Sequence, residues 1–328
     1  MKYMMKMMKW RWMALVAVLL LGVQARAVEH DLNGDSNVDS LDYRLLAMRI
    51  IDKTADYDVR YDIDGNGTID AVDANLLMNE MKRVKEFNVN GIKFRMVLVE
   101  AGTFTMGATA EQGGEVTGYE KPAHKVTLTK DYRIGETEVT QELFVAVMDT
   151  NYSRYNDDLK HPVECVTWND CKTFITKLNE LTGAKFRLPT EAEWEFAARG
   201  GRRGTGYHYV ATDSATYGYK YAGSDNIDEV AWYWNTSDIE THVVGKLKPN
   251  ELGLYDMSGN VWEWCEDWFG SYTSAAATDP KGPSTGVGRV IRGGSFREEG
   301  TICRMSYRSG YQPGSNNLGI GFRLAMEP

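Results

Sequence analysis

The sequence predicts two modules of different class: a small all-α module built from a duplicated loop–helix unit, and a larger, irregular α+β domain. Three observations carry this reading. An Asp-rich pattern occurs twice near the N-terminus, and each copy is followed by apolar residues at helical spacing. Beyond the second copy, short apolar segments alternate with turns, and few stretches keep a helical period. Glycine is abundant, at 32 of 328 residues, so the shape of that region depends on turns. A chain of 328 residues allows about two domains at ~150 residues each. The expected layout is a leader over 1–27, the small module over 28–85 and the large domain over 94–326.

The first residues read as a targeting segment. Lys2, Lys6, Lys9 and Arg11 form a positive n-region, Trp12 to Val23 carries no charge, and Ala25-Arg26-Ala27 is a small-x-small cleavage site. A dozen apolar residues are too few to span the ~30 Å hydrocarbon core, so a cleaved signal peptide is expected, with the mature chain starting near Val28. No second long apolar run follows and no cysteine stands near the cleavage site, so no membrane or lipid anchor is expected. The chain is therefore expected outside the cytoplasm, secreted or periplasmic. Net charge is −9, which supplies no basic footprint and argues against a nucleic-acid partner.

In the small module the first loop carries Asp31, Asn33, Asp35, Asn37, Asp39 and Asp42. The second carries Asp62, Asp64, Asn66, Thr68, Asp70 and Asp73, beginning 31 residues later (62 − 31). Each copy places side-chain oxygens at loop positions 1, 3, 5, 9 and 12, with a backbone carbonyl from Asn37 or Thr68 at position 7. A hard cation that takes six to eight oxygens at ~2.4 Å is served by one such loop, so two Ca²⁺ sites are expected. Val38 and Ile69 at position 8 suit the short pairing between loops. Leu41, Leu45, Met48 and Ile51 recur at helical steps after the first loop, and Leu77, Met81 and Val84 after the second, so the two helices are expected to pack on each other. Position 6 is Gly67 in the second loop but Ser36 in the first. The turn there wants positive φ, which costs a non-glycine residue roughly 1 kcal/mol, so the first site is expected to be weaker.

Loop–helix repeats with Asp at position 12 and no long preceding helix resemble dockerin domains of extracellular polysaccharide-degrading systems. The resemblance implies a cohesin-like partner read by positions 10 and 11, here Ser40-Leu41 and Ala71-Val72, which depart from the Ser-Thr pair common in that family.

After a short charged connection over 83–90, the large domain opens with a strand and turn from Met96 to Gly107. Thr167-Trp168 opens a helix to about Leu181, and Thr190 suits an N-cap with Glu193 as its capping-box partner. An ordered series follows: Arg187-Leu188-Pro189-Thr190-Glu191, Gly259-Asn260-Val261-Trp262-Glu263-Trp264, Arg292-Gly293-Gly294-Ser295-Phe296 and Gly319-Ile320-Gly321-Phe322-Arg323. This series resembles the formylglycine-generating (sulfatase-modifying factor) family over about residues 94–326. The resemblance implies a C-type lectin-like fold and a calcium site at Asp256, Glu263 and the carbonyls of Gly259 and Val261. A second calcium site lies near Trp232 to Asn235 in the family, but no ligands can be assigned to it here.

Active members of that family oxidise a cysteine of sulfatase peptides with Cu(I) and O₂, using two cysteines five residues apart shortly after Gly-Gly-Ser. The matching positions are Glu298 and Cys303. A carboxylate is a hard ligand and does not replace a thiolate on Cu(I), so the standard copper site is expected to be broken, with Cys303 its one remaining catalytic candidate. Cys265 follows the Trp-Glu-Trp segment, which in the family lies near the same pocket. It pairs with Cys303 as a disulfide, or stands with it as a displaced thiolate pair. Cys165 and Cys171 straddle a helix start and read as buried thiols, since their spacing matches no metal or redox motif. Of the histidines His30, His124, His161, His208 and His242, none pairs at metal-ligand helical spacing.

Two function classes follow. One is a calcium-stabilised binding or accessory module whose glycan or protein ligand meets the surface around Phe296 to Arg308. The other is an oxidase of sulfatase peptides. Loss of the first cysteine favours the former.

Overall fold

A computed structural model describes residues 32, 40–51, 61–62, 67–204 and 218–328. The chain divides into two compact units, Met1–Arg83 and Val84–Pro328. The expected leader, the loop residues Asp31, Asn33, Asp35, Asn37, Asp39, Asp64 and Asn66, and His30 and His208 lie outside the described residues. No helix among the described residues is long and apolar enough to cross a membrane.

The first unit holds helices α1 (Ser40–Ile51) and α2 (Ala71–Arg83). Leu32, Leu46 and Leu77 form its buried centre, with Leu45, Ile50, Tyr61, Ile69 and Ala74 packed around them. Leu45 of the expected α1 stripe packs against this centre, and Leu46 beside it is the fully buried residue. Val84, expected on the second stripe, ends outside the helix.

The second unit begins with a hairpin, β1 (Val84–Val89) against β2 (Ile92–Val99), turning through Asn90 and Gly91, both at positive φ. The charged connection expected over 83–90 is thus mostly a strand. Lys85 and Glu86 mask it in the sequence, and pairing with the apolar β2 overrides their weak strand preference. Next come β3 (Gly102–Met106), β4 (His124–Leu128), β5 (Tyr132–Gly135) and helices α3 (Gln141–Met148) and α4 (Trp168–Thr182). Strand β6 (Phe186–Arg187) leads to α5 (Glu191–Ala198). Thr190 caps α5 through its side chain, and Glu193 returns the hydrogen bond, as expected.

The remaining chain forms short strands: β7 (Ala231–Trp232), β8 (Ser258–Gly259), β9 (Trp262–Trp268), β10 (Ala277–Thr278), β11 (Arg289–Arg292), β12 (Arg308–Tyr311), β13 (Ile320–Gly321) and β14 (Ala325–Met326). The described strands group as β1-β2-β5-β14-β6, β10-β4-β3, β12-β11-β9-β13 and β7-β8. Thus β14, from the end of the chain, lies between β5 and β6, antiparallel to both. Strand β9 carries the Trp-Glu-Trp segment, and Trp262 to Cys265 are all buried, as expected for a strand covered on both faces.

Four buried arginines bind the last third of the domain to earlier elements. Arg292 pairs with Glu195, Arg304 with Glu120 at 2.6 Å, Arg308 with Glu191 at 2.6 Å and Arg323 with Glu263 at 2.6 Å. Each is at most 2% exposed in its side chain, so each carries its desolvation cost only because a charged partner meets it.

Candidate functional site

In the first unit, the residues described at the second loop form a closed turn. Gly67 takes φ +88° and donates its amide to the Asp62 carboxylate at 2.8 Å, so positions 1 and 6 meet as a wrapped loop requires. An Asp70-to-Asp73 contact joins positions 9 and 12: the Asp70 amide donates to Asp73 Oδ2 at 2.7 Å. In the first loop, Asp42 at position 12 is buried and accepts the Leu32 amide at 2.7 Å. The described residues of the second loop thus meet in two local pairs, Asp62 with Gly67 and Asp70 with Asp73, and the position-12 carboxylates Asp42 and Asp73 are both buried.

In the second unit, the segment from Asp256 through β8 into the start of β9 carries the ligands that the resemblance implies. Asp256, Gly259 and Asn260 all have positive φ, which turns the segment tightly. Asp256 is buried and accepts the Gly245 amide at 2.7 Å through Oδ2, while its Oδ1 has no hydrogen-bond partner. Facing it is Glu138, fully desolvated, with neither carboxylate oxygen partnered. Burial, reinforced by the Asp256 charge, pushes Glu138 well above the usual carboxylate range, and burial lifts Asp256 to about 6. Orphaned carboxylate oxygens this deep are costly unless a proton or a cation lies between them.

Glu263 departs from the expected ligand set. Arg323 grips both its oxygens at 2.6 Å, and the Trp194 indole donates to Oε2 at 2.6 Å. With its carboxylate committed, Glu263 braces β9 and leaves Glu138 as the second acidic donor beside Asp256. The sequence reading missed Glu138, which nothing in Glu136-Thr137-Glu138-Val139-Thr140 sets apart from its neighbouring acid Glu136.

The Gly-Gly-Ser turn after β11 delivers Glu298 and Cys303. Gly294 is at φ +76°, and a β-carbon there would stand 2.7 Å from Cys303 Sγ, so the turn and the thiol fit together only with glycine. Glu298 is half-buried, and the Trp262 indole donates to its Oε1 at 3.2 Å. Tyr307 packs on Trp262 with ring centroids 5.9 Å apart. Cys303 lies behind this group, buried among Tyr221, Val230, Ala231 and Tyr233. Burial, and then the Glu298 charge, pushes its thiol far above the ordinary value.

All four cysteines are free thiols. The expected Cys265–Cys303 pairing is not formed: Cys265 belongs to the core around Val97, Trp194 and Met305, and Cys303 to the separate cluster named above. Cys171 is buried in α4, while Cys165, only half-buried at φ +60°, has its thiol raised to about 12 by burial and by Glu164. His124 stacks edge-on against Tyr272, His161 meets the Thr241 hydroxyl at 3.0 Å, and His242 stacks on Trp232 at 3.9 Å. Among the described residues no group of three His, Cys, Asp or Glu side chains converges as a complete metal site.

Copper does not fit this arrangement. One soft donor is present, it is buried and protonated, and the position facing it holds a hard carboxylate bonded to an indole. A hard cation fits better at Glu138 and Asp256, two buried carboxyls close enough to share a proton or an ion.

Comparison with known proteins places these features. Residues 81–328 match the sulfatase-modifying factor enzyme 1-like domain, and residues 29–82 match the dockerin type I domain. A formylglycine-generating enzyme of Streptomyces coelicolor is 40% identical over 176 residues, covering 51% of this chain and 53% of that enzyme. The chain thus spans about half the length of that relative. Among solved structures, Treponema denticola variable protein 1 superposes with a TM-score of 0.64 at 33% identity, covering 75% of this chain and 99% of the other. PvdO from Pseudomonas aeruginosa does so with a TM-score of 0.59 at 27% identity, covering 74% and 98%. The irregular α+β domain with its buried Trp-Glu-Trp strand and Gly-Gly-Ser turn belongs to the sulfatase-modifying factor enzyme 1-like family, here with a dockerin type I domain preceding it.

Proposed function

We propose that this is an exported binding or accessory protein: the large domain presents a ligand surface, and the dockerin module attaches it, through calcium-formed loops, to a cohesin-like partner. The observation that carries the reading is Glu298, a carboxylate hydrogen-bonded by the Trp262 indole where the copper-dependent relatives need a thiolate. The neighbouring Cys303 is sealed in an apolar cluster, so no thiolate is offered to a metal or a substrate.

Calcium fits two places. In the first unit the loop acids would hold one ion per loop and so stabilise a module too small to fold on its apolar core alone. In the second, Glu138 and Asp256, with the carbonyls of Gly259 and Val261, would hold a structural ion under the β8–β9 turn. Such an ion neutralises two buried carboxylates and fixes the turn from which Trp262 reaches Glu298.

The alternative is an oxidase acting on sulfatase cysteine peptides, favoured by the likeness to the Streptomyces enzyme. Incubation of the full chain with Cu(I), O₂ and a Cys-x-Pro-x-Arg peptide separates the two. No aldehyde is expected; copper-dependent conversion that disappears in Cys303→Ser would replace the binding reading with the oxidase.

A further inference from the structure

Three loops meet around Glu298 and leave an apolar, acidic face. The Trp234 amide donates to the Glu298 carbonyl at 3.0 Å, the Ser237 hydroxyl to the Phe296 carbonyl at 2.7 Å, and the Tyr155 hydroxyl to the Ile239 carbonyl at 3.0 Å. The Tyr155 ring packs edge-on against Phe296 at 5.3 Å. So stitched, the 234–240 loop presents two large apolar side chains to solvent, Trp234 at 51% exposure and Ile239 at 46%. Ile239 does so from φ +62°, a conformation that β-branched residues avoid.

The charge of the same face is one-sided. In the stretches 154–160, 234–240 and 296–299 that form it, six acids, all exposed but the half-buried Glu298, stand against three exposed bases. Asp157, Asp158 and Glu240 lie close enough together to act jointly on His161, opposing the lowering that its burial imposes. A polyanion is repelled by this face, and a neutral sugar leaves its charge excess unused. A cation next to an apolar group uses both features: carboxylates for the charge, Trp234 and Ile239 for the apolar neighbour, and the Trp262 and Tyr307 rings for a cation reaching Glu298.

Resting on the binding reading above, we infer that the ligand of this face is a polypeptide segment carrying Lys or Arg beside apolar residues, with the basic group at Glu298 and the apolar neighbours over Trp234 and Ile239. The test is an array of random octapeptides probed with the labelled full chain in calcium buffer. Retained peptides are expected to be enriched in Lys or Arg next to apolar residues, and their binding to weaken with salt. Glu298→Gln and Trp234→Ala should each weaken binding about tenfold or more, as expected for a desolvated anchor. Trp234 is exposed, so that variant tests the face without threatening the fold, and matched thermal melts verify both proteins. Retained peptides without basic enrichment, or unchanged binding by both variants, overturn the inference. A parallel glycan array separates this failure from a wider one: glycan capture lost in Trp234→Ala rejects the basic peptide while the binding surface stands, whereas copper-dependent peptide oxidation rejects both.

Discussion

Asp267 lies buried at the end of β9, where its Oδ2 accepts the Glu191 amide at 2.9 Å at the start of α5. Burial, with the Glu191 charge second, lifts it to about 7. An unfolded aspartate titrates near ~3.9, so between these values the folded domain holds a proton that the unfolded chain has lost. The stability from this group is therefore complete below about pH 4 and is lost as pH rises through 7. Melting of the large domain is expected to occur at lower temperature at pH 8 than at pH 5.5. Asp267→Asn, whose amide oxygen still accepts from Glu191, should flatten that slope; an unchanged slope would assign it to other groups. Residues with a purely local role were readable in the sequence: Thr190 and Glu193 sit three apart and cap one helix end. Glu138 was not, because an acid is marked as unusual only by the remote Asp256 that folding places against it. The Arg–Glu pairs escaped for the same reason, each joining residues from distant segments.

At the scale of elements, the 234–240 loop carries a β-branched residue, Ile239, at positive φ. Replacing Ile239 with glycine removes the left-handed penalty of about 1–2 kcal/mol and adds about 0.5–1 kcal/mol of backbone entropy cost. A net gain in stability of about 0.5–1 kcal/mol is expected in chemical denaturation, together with weaker binding of the peptides retained by the wild type, the usual exchange between stability and function. A loss of stability would show that the Ile239 side chain packs more than its exposure suggests. The elements themselves were unevenly legible. Helix α4 was readable from its period and from the Thr167 cap, which the Asp170 side chain completes. Strand β1 was not, since Lys85, Glu86 and Asn88 carry no strand signature and the pairing with Ile92–Val99 alone makes them one. In α1 the apolar run Leu41 to Ile51 contains adjacent leucines, and period alone does not decide which of Leu45 and Leu46 faces inward.

At the scale of the whole molecule, the two units answer to different stabilising forces. The first rests on a core of a few leucines and on loops that acids crowd; the second has large buried clusters and paired buried charges. Chelation of calcium is therefore expected to unfold the first unit while the second keeps its near-ultraviolet circular dichroism, with a melting temperature lowered only by loss of the ion proposed at Glu138 and Asp256. Simultaneous loss of both signals would mean that the second unit depends on calcium as strongly as the first. The place of β14 adds a consequence in time. Because Ala325–Met326 fills the gap between β5 and β6, and Arg323 just before it closes on Glu263, the sheet stays split until residues 323–326 are in place. The first unit needs only its own loops and calcium, but the large domain waits, its inner strand edges open, for residues 319–326. A chain truncated just before Gly319 should thus, in calcium buffer, resist proteolysis in its first unit and be cut throughout its second.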